Sequence, residues 1–214
     1  MKKTLLIILV LVVIAGMFVV GKYNNIVKLD ESVKTAWSQV ENVYQRRLDL
    51  IPNLVNTVKG AAAQESGVLV AVVNARASAT QVSVDVNDPQ SLAAFQKVQW
   101  EVTSSLSRLL AVVESYPQLQ SIQAFRDLMT QLEGTENRIT VERKNYNDAV
   151  NTLNIYIRSF PANIAAALFG FEKAQQFEAQ AWADVSPTVD FTAPNQMPVD
   201  TIPTEWTDTE NVAQ

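Results

Sequence analysis

The sequence predicts an all-α protein, with a single N-terminal transmembrane helix followed by an antiparallel four-helix bundle that has one very long first helix. Three observations predict this fold. Residues 4–21 form an uncharged apolar run, apolar residues recur at heptad spacing between residues 33 and 160, and the 214 residues include only 6 glycines and 8 prolines. Turn-forming residues are scarce and no long alternation of apolar and polar residues occurs, which argues against a sandwich or barrel.

The chain contains no cysteine and no histidine. Disulfides, cysteine or histidine metal sites, lipid attachment to cysteine and Ser–His or Cys–His nucleophile pairs are therefore excluded. A general acid or base would have to be Asp, Glu, Lys or Tyr. We expect no cofactor and no enzymatic activity.

The apolar run Thr4–Gly21 predicts a membrane anchor over residues 1–22. As a helix, its 18 residues span roughly 27 Å, close to the thickness of the hydrocarbon core. Lys22 and Tyr23 suit the membrane interface, and the lysines before the run weakly favour a cytoplasmic N-terminus with the bulk of the chain outside the cytoplasm. A cleaved signal peptide ending at Val19-Val20-Gly21 is the alternative.

The first helix of the body is predicted over about residues 25–82. Two rows of mostly apolar residues at heptad spacing mark its buried face. They are Val33, Val40, Arg47, Leu54, Ala61, Val68 and Ala75, and Trp37, Tyr44, Ile51, Val58, Glu65, Val72 and Ala79. Because the heptad phase continues through Pro52, we expect one helix kinked at this proline, and a hairpin at Pro52 is the alternative.

Two more long helices and one short helix complete the predicted body, which covers residues 23–182. Asp88 as N-cap and Pro89 at the first helical position begin a helix over about residues 89–116. The third helix carries an apolar row of Phe125, Leu132, Ile139, Tyr146, Leu153 and Phe160. A short apolar helix over 162–168 and an amphipathic stretch to about Trp182 follow.

Residues 183–214 predict an acidic, proline-rich tail, because they contain four prolines, six acids and no base. No lysine or arginine occurs after Lys173, so the net charge of −5 belongs to the tail and the helical body is nearly neutral. A nucleic-acid-binding protein would show a dense basic face. We therefore expect no nucleic-acid partner.

The predicted lengths leave part of the first helix without a partner. Antiparallel pairing through a loop at 83–88 places the second helix against residues 55–82, so that residues 25–53 extend roughly 40 Å toward the membrane with an exposed apolar seam. Another copy of the chain, the bilayer surface or a fold-back at Pro52 would cover this seam. This is our reason for expecting a homo-oligomer that also contacts the lipid bilayer.

Several polar residues occupy seam positions, where a buried charge needs a partner. They are Arg47, Glu65, Gln99, Glu136 and Arg143. Counting outward from the predicted loops places Glu65 near Arg108 and Arg76 near Glu136. We interpret such pairs as devices that fix helix register, and a Glu/Arg catalytic site is the alternative.

Three stretches with distinctive motifs follow the apolar helix. The first is Tyr23-Asn24, Leu29-Asp30-Glu31-Ser32-Val33 and Trp37-Ser38-Gln39-Val40-Glu41. The second is Arg46-Arg47-Leu48-Asp49-Leu50-Ile51-Pro52-Asn53-Leu54-Val55, Thr57-Val58-Lys59-Gly60, Glu65 and Ala75-Arg76-Ala77. The third is Arg143-Lys144-Asn145-Tyr146-Asn147-Asp148-Ala149-Val150, Phe160-Pro161, Asn163-Ile164-Ala165 and Phe169-Gly170-Phe171. In this order, and over about residues 1–182, they resemble the LemA family of bacterial membrane proteins.

The resemblance implies a single-pass protein of the bacterial inner membrane with a helical-bundle domain and no established enzymatic activity. A magnetosome-associated branch of the family implies a membrane-organising role, and frequent gene proximity implies a TPM-domain membrane protein as a possible partner. This chain departs from the family at Leu153-Asn154, where a second Tyr-Asn is common. It also departs at Ala61–Gln64, where relatives often carry a tyrosine and a histidine, and this departure favours a structural role.

The candidate functional residues are those of the family motifs and the polar seams. They are Arg46, Arg47, Asp49, Pro52, Asn53, Lys59, Glu65, Arg76, Glu136, Arg143, Tyr146, Asn147, Phe160 and Pro161. We expect Asn53 to satisfy a carbonyl freed by Pro52, and the pair Tyr146-Asn147 to pack a ring and bond backbone across the bundle. Arg46 and Arg47 could bind lipid headgroups, pair with acids or remain solvated.

Together these features predict a non-enzymatic, membrane-anchored scaffold that self-associates and organises envelope or membrane protein assemblies. The alternatives are an accessory subunit of a membrane enzyme such as a protease, and a module that binds a small ligand within the bundle.

Overall fold

A computed structural model describes residues 2–60 and 65–177. These residues form six helices and, within the described ranges, no strand. The helices are α1 (Lys2–Lys59), α2 (Ser66–Ala79), α3 (Pro89–Glu114), α4 (Pro117–Gln120), α5 (Gln123–Arg158) and α6 (Ala162–Phe169). The predicted all-α bundle behind an apolar N-terminal helix is confirmed. The predicted tail, residues 183–214, lies outside the described residues.

The apolar run and the first helix of the body are one continuous helix, α1, of 58 residues. Its first part is a candidate membrane span by length and composition. The described side chains of residues 3–18 are all exposed, whereas Ile26 and the seam residues that follow are buried. A helix of this length extends about 87 Å, so α1 reaches from the candidate span to the far end of the bundle.

The chain reverses direction between Lys59 and Ser66, in addition to the predicted reversal before α3, and it does not reverse at Pro52. Helix α1 continues through Pro52 and ends at Lys59. The prediction that one helix passes through Pro52 is confirmed, whereas its predicted extent to residue 82 and the alternative hairpin at the proline were wrong. Gly60 directly follows α1, and glycine after the last helical residue is a common helix stop. The heptad pattern continues past this reversal because α1 and α2 each place apolar residues at heptad spacing in the same core. The pattern therefore did not reveal where one helix ends and the next begins.

The long helices alternate in direction. Arg76 of α2 bonds the Leu48 carbonyl of α1, which is the register of an antiparallel pair that reverses between Lys59 and Ser66. Helix α3 runs parallel to α1, because Phe95 packs on Trp37 and residue 99 reaches Arg47. Helix α5 returns antiparallel to α1 and packs closely along it.

The buried residues form two apolar clusters along the length of the bundle. The proximal core, nearer the candidate span, contains Ile26, Val33, Trp37, Val40, Tyr44, Leu92, Phe95, Ile139, Tyr146, Val150, Leu153, Ile157, Ala165, Ala166, Ala174 and Phe177. The distal core contains Leu48, Ile51, Leu54, Val55, Val58, Leu69, Val72, Ala79, Val102, Leu106, Leu109, Val113, Leu119, Phe125 and Leu132. The boundary between them falls at Arg47.

The seam of α1 that was predicted to be exposed is buried within the chain. Seam residues Ile26, Val33 and Trp37 are all 5% exposed or less. The expectation was wrong because it paired the wrong helices: α5 returns along the whole seam, whereas the predicted pairing relied on the second helix alone. Two extended segments, residues 82–86 and 171–177, complete the proximal core where α2 is too short to reach.

Local sequence signals account for the helix ends that position the site. Asp88 caps α3 as predicted, and its carboxylate accepts hydrogen bonds from the backbone of Gln90 at 3.0 Å and of Ser91 at 3.2 Å. At the other end of the fold, Gly170 terminates α6 with φ of 74°, a left-handed conformation that glycine adopts at little cost. The extended segment 171–177, which we call the strap, begins there.

Candidate functional site

A layer of polar side chains around Arg47 crosses the bundle between the two cores. Nη1 of Arg47 donates to Thr103 Oγ1 and to Glu136 Oε1, each at 3.0 Å. Nη2 donates to the Gln99 carbonyl at 3.2 Å and to its side-chain oxygen. A single guanidinium thus ties α1 to both α3 and α5.

Arg47 is buried, with 2% of its side chain exposed, while its partner Glu136 remains 41% exposed. A buried charge is tolerated when an opposite charge and hydrogen bonds compensate its lost hydration. The guanidinium also lies 5.0 Å from the ring centroid of Tyr44, within cation–π distance. The layer thereby fixes the height at which the three helices meet, as single polar residues do in coiled coils.

Tyr44 lies against this layer on its proximal side. Burial raises the pKa of the Tyr44 hydroxyl, and the nearby Arg143 and Arg47 guanidinium groups partly offset the rise. Tyr44 is therefore neutral at physiological pH and contributes an aromatic face to the layer.

Pro52 and Arg76 are two motif residues joined by one backbone carbonyl. Proline has no N–H, so a proline inside a helix leaves the carbonyl four residues earlier without its helical donor. In α1 that carbonyl belongs to Leu48, and Nε of Arg76 donates to it at 3.0 Å. The prediction that Asn53 fills this role was wrong, since Asn53 is exposed and the freed carbonyl accepts from Arg76.

Two asparagines of α5 hold the strap through paired hydrogen bonds. Asn147 accepts from the Phe177 N–H at 2.9 Å and donates to its carbonyl at 3.2 Å. Asn154 accepts from the Ala174 N–H at 3.1 Å and donates to its carbonyl at 2.9 Å. A primary amide side chain presents the same donor and acceptor as a neighbouring strand. The two asparagines, seven residues apart on α5, therefore provide the hydrogen bonds that a neighbouring β-strand would otherwise form with the strap.

Additional bonds fix the strap between these two positions. The hydroxyl of Tyr146 donates to the Gln175 carbonyl at 2.7 Å. The backbone N–H of Gln175 donates to the Val86 carbonyl at 3.2 Å, which links the strap to the other extended segment. Burial raises the pKa of Tyr146 to about 12, so its hydroxyl remains a donor across the physiological pH range.

Phe177 seats the end of the strap in an aromatic pocket. Its ring stacks on Trp37 with centroids 5.8 Å apart and meets Tyr146 edge to face at 5.4 Å. The Arg143 guanidinium lies 4.6 Å from the Phe177 centroid. Arg143, predicted as a charged seam residue, thus contacts an aromatic face, which suits the planar guanidinium.

The other motif residues lie on the surface. Arg46, Asn53 and Lys59 are exposed, and so is Asp49, whose carboxylate accepts from Gln45 one turn earlier at 2.8 Å. Phe160 is 81% exposed and joined by a cis peptide bond to Pro161, directly before α6.

Neither predicted cross-helix pair forms an ion pair among the described residues. Glu136 pairs with Arg47, and Arg76 bonds the Leu48 carbonyl. Among the described residues, Glu65 forms no ion pair with Arg108. Arg76 has a different partner because the chain also reverses between α1 and α2, which brings Arg76 beside the Leu48 carbonyl.

Sequence reasoning did not identify Thr103 or the strap as parts of the site. The spacing of Asn147 and Asn154 by one heptad was the available signal for the strap, since it repeats an amide on one face of α5. Residues 2–60 and 65–177 contain no group of three or more acidic side chains placed to hold a metal ion. What the arrangement does chemically is fix helix register and bind extended backbone.

Comparisons with known proteins agree with this arrangement. A model of the LemA family matches residues 36–191. Magnetosome protein MamQ 2 of Paramagnetospirillum magneticum is 29% identical over 182 residues, covering 76% of this chain and 67% of the relative. Magnetosome protein MamQ of Magnetospirillum gryphiswaldense is 26% identical over the same shares. Protein LemA of Metamycoplasma hominis is 22% identical over 160 residues, covering 75% and 70%.

Proposed function

This chain belongs to the LemA family, and on that premise we propose that it is a membrane-anchored, non-enzymatic helical scaffold. It self-associates and organises membrane protein or envelope assemblies. It crosses the bacterial inner membrane once, and the bundle lies outside the cytoplasm. A TPM-domain membrane protein is the kind of partner that it would hold.

The observation that carries this proposal is the continuity of α1. One helix runs without interruption from the candidate span through both cores to Lys59. From Tyr23 to Lys59 the helix rises about 55 Å. The distal end of the bundle is therefore held far from the bilayer by a stiff connection, which suits display and spacing of partners.

The engagement of the motif side chains supports a structural role. Arg47, Arg76 and Asn147 each donate to atoms of the chain itself, and these bonds fix helix register or hold the strap. Side chains whose donors are occupied by the chain itself stabilise one arrangement of the helices. The names of the magnetosome relatives are consistent with a role in organising membranes.

Self-association is supported by the outer face of α2 and no longer by the α1 seam. Val70 and Val73 are 56% and 47% exposed on a helix that is apolar nearly all round. Helices of that composition are usually buried. We place the contact between copies on this face, level with the distal core.

The test is the particle size of the full chain extracted in detergent and reconstituted in nanodiscs. Light scattering is expected to give a discrete assembly for the natural protein and a smaller particle for Val70→Lys combined with Val73→Lys. Val141→Lys, at an equally exposed valine of α5, is the matched control and is expected to keep the assembly. A natural protein that remains a monomer at all concentrations would overturn self-association.

A further inference from the structure

Helix α6 has two apolar faces of different character. Its inner face consists of alanines, and Ala162, Ala165 and Ala166 are buried against the bundle. Its outer face, together with the residue before Pro161, carries large apolar side chains that are exposed. These are Phe160 at 81%, Ile164 at 56%, Leu168 at 69% and Phe169 at 49%. We call these four side chains, three on the short, uncharged α6 and one just before it, the α6 patch. Exposed apolar patches mark surfaces that contact a partner or a membrane.

The position of α6 indicates what covers the patch. The Phe169 ring packs on the Tyr23 ring with centroids 4.7 Å apart. Tyr23 lies two residues beyond the apolar run of α1, which corresponds to a rise of about 3 Å. Val19, still inside that run, is the first described side chain of α1 that is not exposed. The patch is therefore continuous with the candidate membrane span.

Basic residues stand on the elements that border α6. Lys22 follows the span on α1, Arg158 ends α5, and Lys173 lies in the strap, with Glu172 beside it. Nζ of Lys22 lies 5.2 Å from the Phe18 ring centroid. Apolar side chains bordered by lysine and arginine are typical of protein surfaces that rest in the headgroup region of a bilayer.

We infer that α6 is a second membrane contact, whose outer face enters the interfacial layer of the bilayer beside the end of α1. A single spanning helix leaves the bundle free to tilt and rotate. A second contact at α6 sets the orientation of the bundle on the membrane, since α6 also packs on both α1 and α5. This inference rests on the proposed anchoring of α1 in the membrane and does not depend on self-association.

The bilayer is favoured over a second copy as the occupant because Phe169 packs on Tyr23, at the end of the candidate membrane span of α1. Elsewhere on the body, exposed apolar residues such as Trp100 and Val141 occur on other helices and lie far along the chain from the span.

The test uses the full chain in nanodiscs of phosphatidylcholine and phosphatidylglycerol. The chain has no cysteine, so Leu168→Cys introduces one attachment point for an environment-sensitive fluorophore. Val141→Cys, exposed on α5, is the matched control. Spin-labelled lipids are expected to quench the label at 168 several-fold more strongly than the label at 141. Aqueous iodide is expected to show the reverse preference.

Two outcomes would overturn the inference. Equal iodide quenching at 168 and 141 would show that α6 faces water. A label at 168 shielded from both iodide and lipid quenchers would show that protein covers the patch, and dilution to one chain per nanodisc would then restore iodide access. Unchanged helical circular dichroism of each variant confirms that the comparison concerns folded chains.

Discussion

The proximal and distal halves of the bundle are built from different side chains. The proximal core is rich in aromatic rings, with Trp37, Tyr44, Phe95, Tyr146 and Phe177 in mutual contact. The distal core consists almost entirely of leucine, valine and isoleucine, with one phenylalanine. The distal half packs α1, α2, α3 and α5 together with the short α4, whereas the proximal half has two extended segments in place of α2.

The difference shows what each kind of backbone requires from its surroundings. A helix satisfies its own interior N–H and carbonyl groups, so aliphatic packing is sufficient in the distal half, apart from the carbonyl freed by Pro52. An extended segment cannot do so, and its polar groups need external partners. In the proximal half, Asn147, Asn154 and Tyr146 supply those partners, and large rings fill the space that a helix would occupy.

The Arg47 layer joins these halves, so its removal is expected to have the largest effect. Arg47→Ala leaves buried Gln99 without its charged partner and opens a cavity, at a cost of about 3–5 kcal/mol in unfolding free energy. Urea unfolding of the full chain in detergent measures this loss. Hydrogen exchange is expected to rise in peptides from both cores.

Arg46→Ala is the control for this prediction, because Arg46 is the exposed neighbour of Arg47. Its effect is expected to lie within about 0.5 kcal/mol. Similar losses in the two variants would contradict the assignment of the layer as the link between the halves.

Alkaline pH is expected to destabilise the proximal half. Burial raises the pKa of Tyr146 to about 12 in the folded protein, while an unfolded tyrosine titrates near pH 10. The stabilisation that the folded protein gains from keeping Tyr146 neutral is fully present below pH about 10. It is lost as the pH rises toward 12, which lowers the unfolding free energy by up to about 2–3 kcal/mol. Unfolding free energies at several pH values measure it.

The matched variant is Tyr146→Phe, which loses the hydrogen bond to Gln175 but no longer titrates. Its stability is expected to fall less steeply above pH about 10 than that of the natural protein. The slope is not abolished, since burial also raises the pKa of Tyr44. Identical slopes in the two proteins would argue against a buried, neutral Tyr146.

Asn147→Ala is expected to release the strap and leave the distal half intact. It removes two hydrogen bonds to Phe177, together worth about 1–3 kcal/mol. Hydrogen exchange of peptides covering 171–177 is expected to increase, with little change in α2. Asn151→Ala, one turn further along α5 at an exposed position, is the control. An equal increase of hydrogen exchange in α2 would mean that loss of the strap contacts also destabilises the distal half, which would contradict this prediction.

The smallest expected effect on stability concerns the hydrogen bond from Arg76 to the Leu48 carbonyl, which Pro52 leaves without a helical donor. Arg76→Ala leaves the Leu48 carbonyl without a donor, whereas Pro52→Ala restores the helical N–H. The cost of Arg76→Ala is therefore expected to be smaller in the Pro52→Ala background, with a coupling of about 1 kcal/mol. A double-mutant cycle of unfolding free energies measures it, and purely additive losses would rule out the shared carbonyl.

The sequence by itself determined the helices, their buried faces and some of their ends. The heptad rows of α1 through Val58 are buried, and Asp88 and Pro89 begin α3 as predicted. These features depend on neighbours within a few residues, where helical periodicity and capping act. The apolar run likewise predicted a candidate span from composition and length alone.

Only the tertiary structure decided which surfaces meet. A heptad row shows that a face is buried but not what covers it, so the sequence could not show that α5, and not a second copy, covers the α1 seam. The partner of Arg76 depended on the reversal between Lys59 and Ser66, which brings α2 back along α1, and the partners of Arg47 depended on how α3 and α5 meet α1. The strap depended on Asn147 and Asn154 meeting backbone 30 and 20 residues later in the chain, a pairing that folding alone creates.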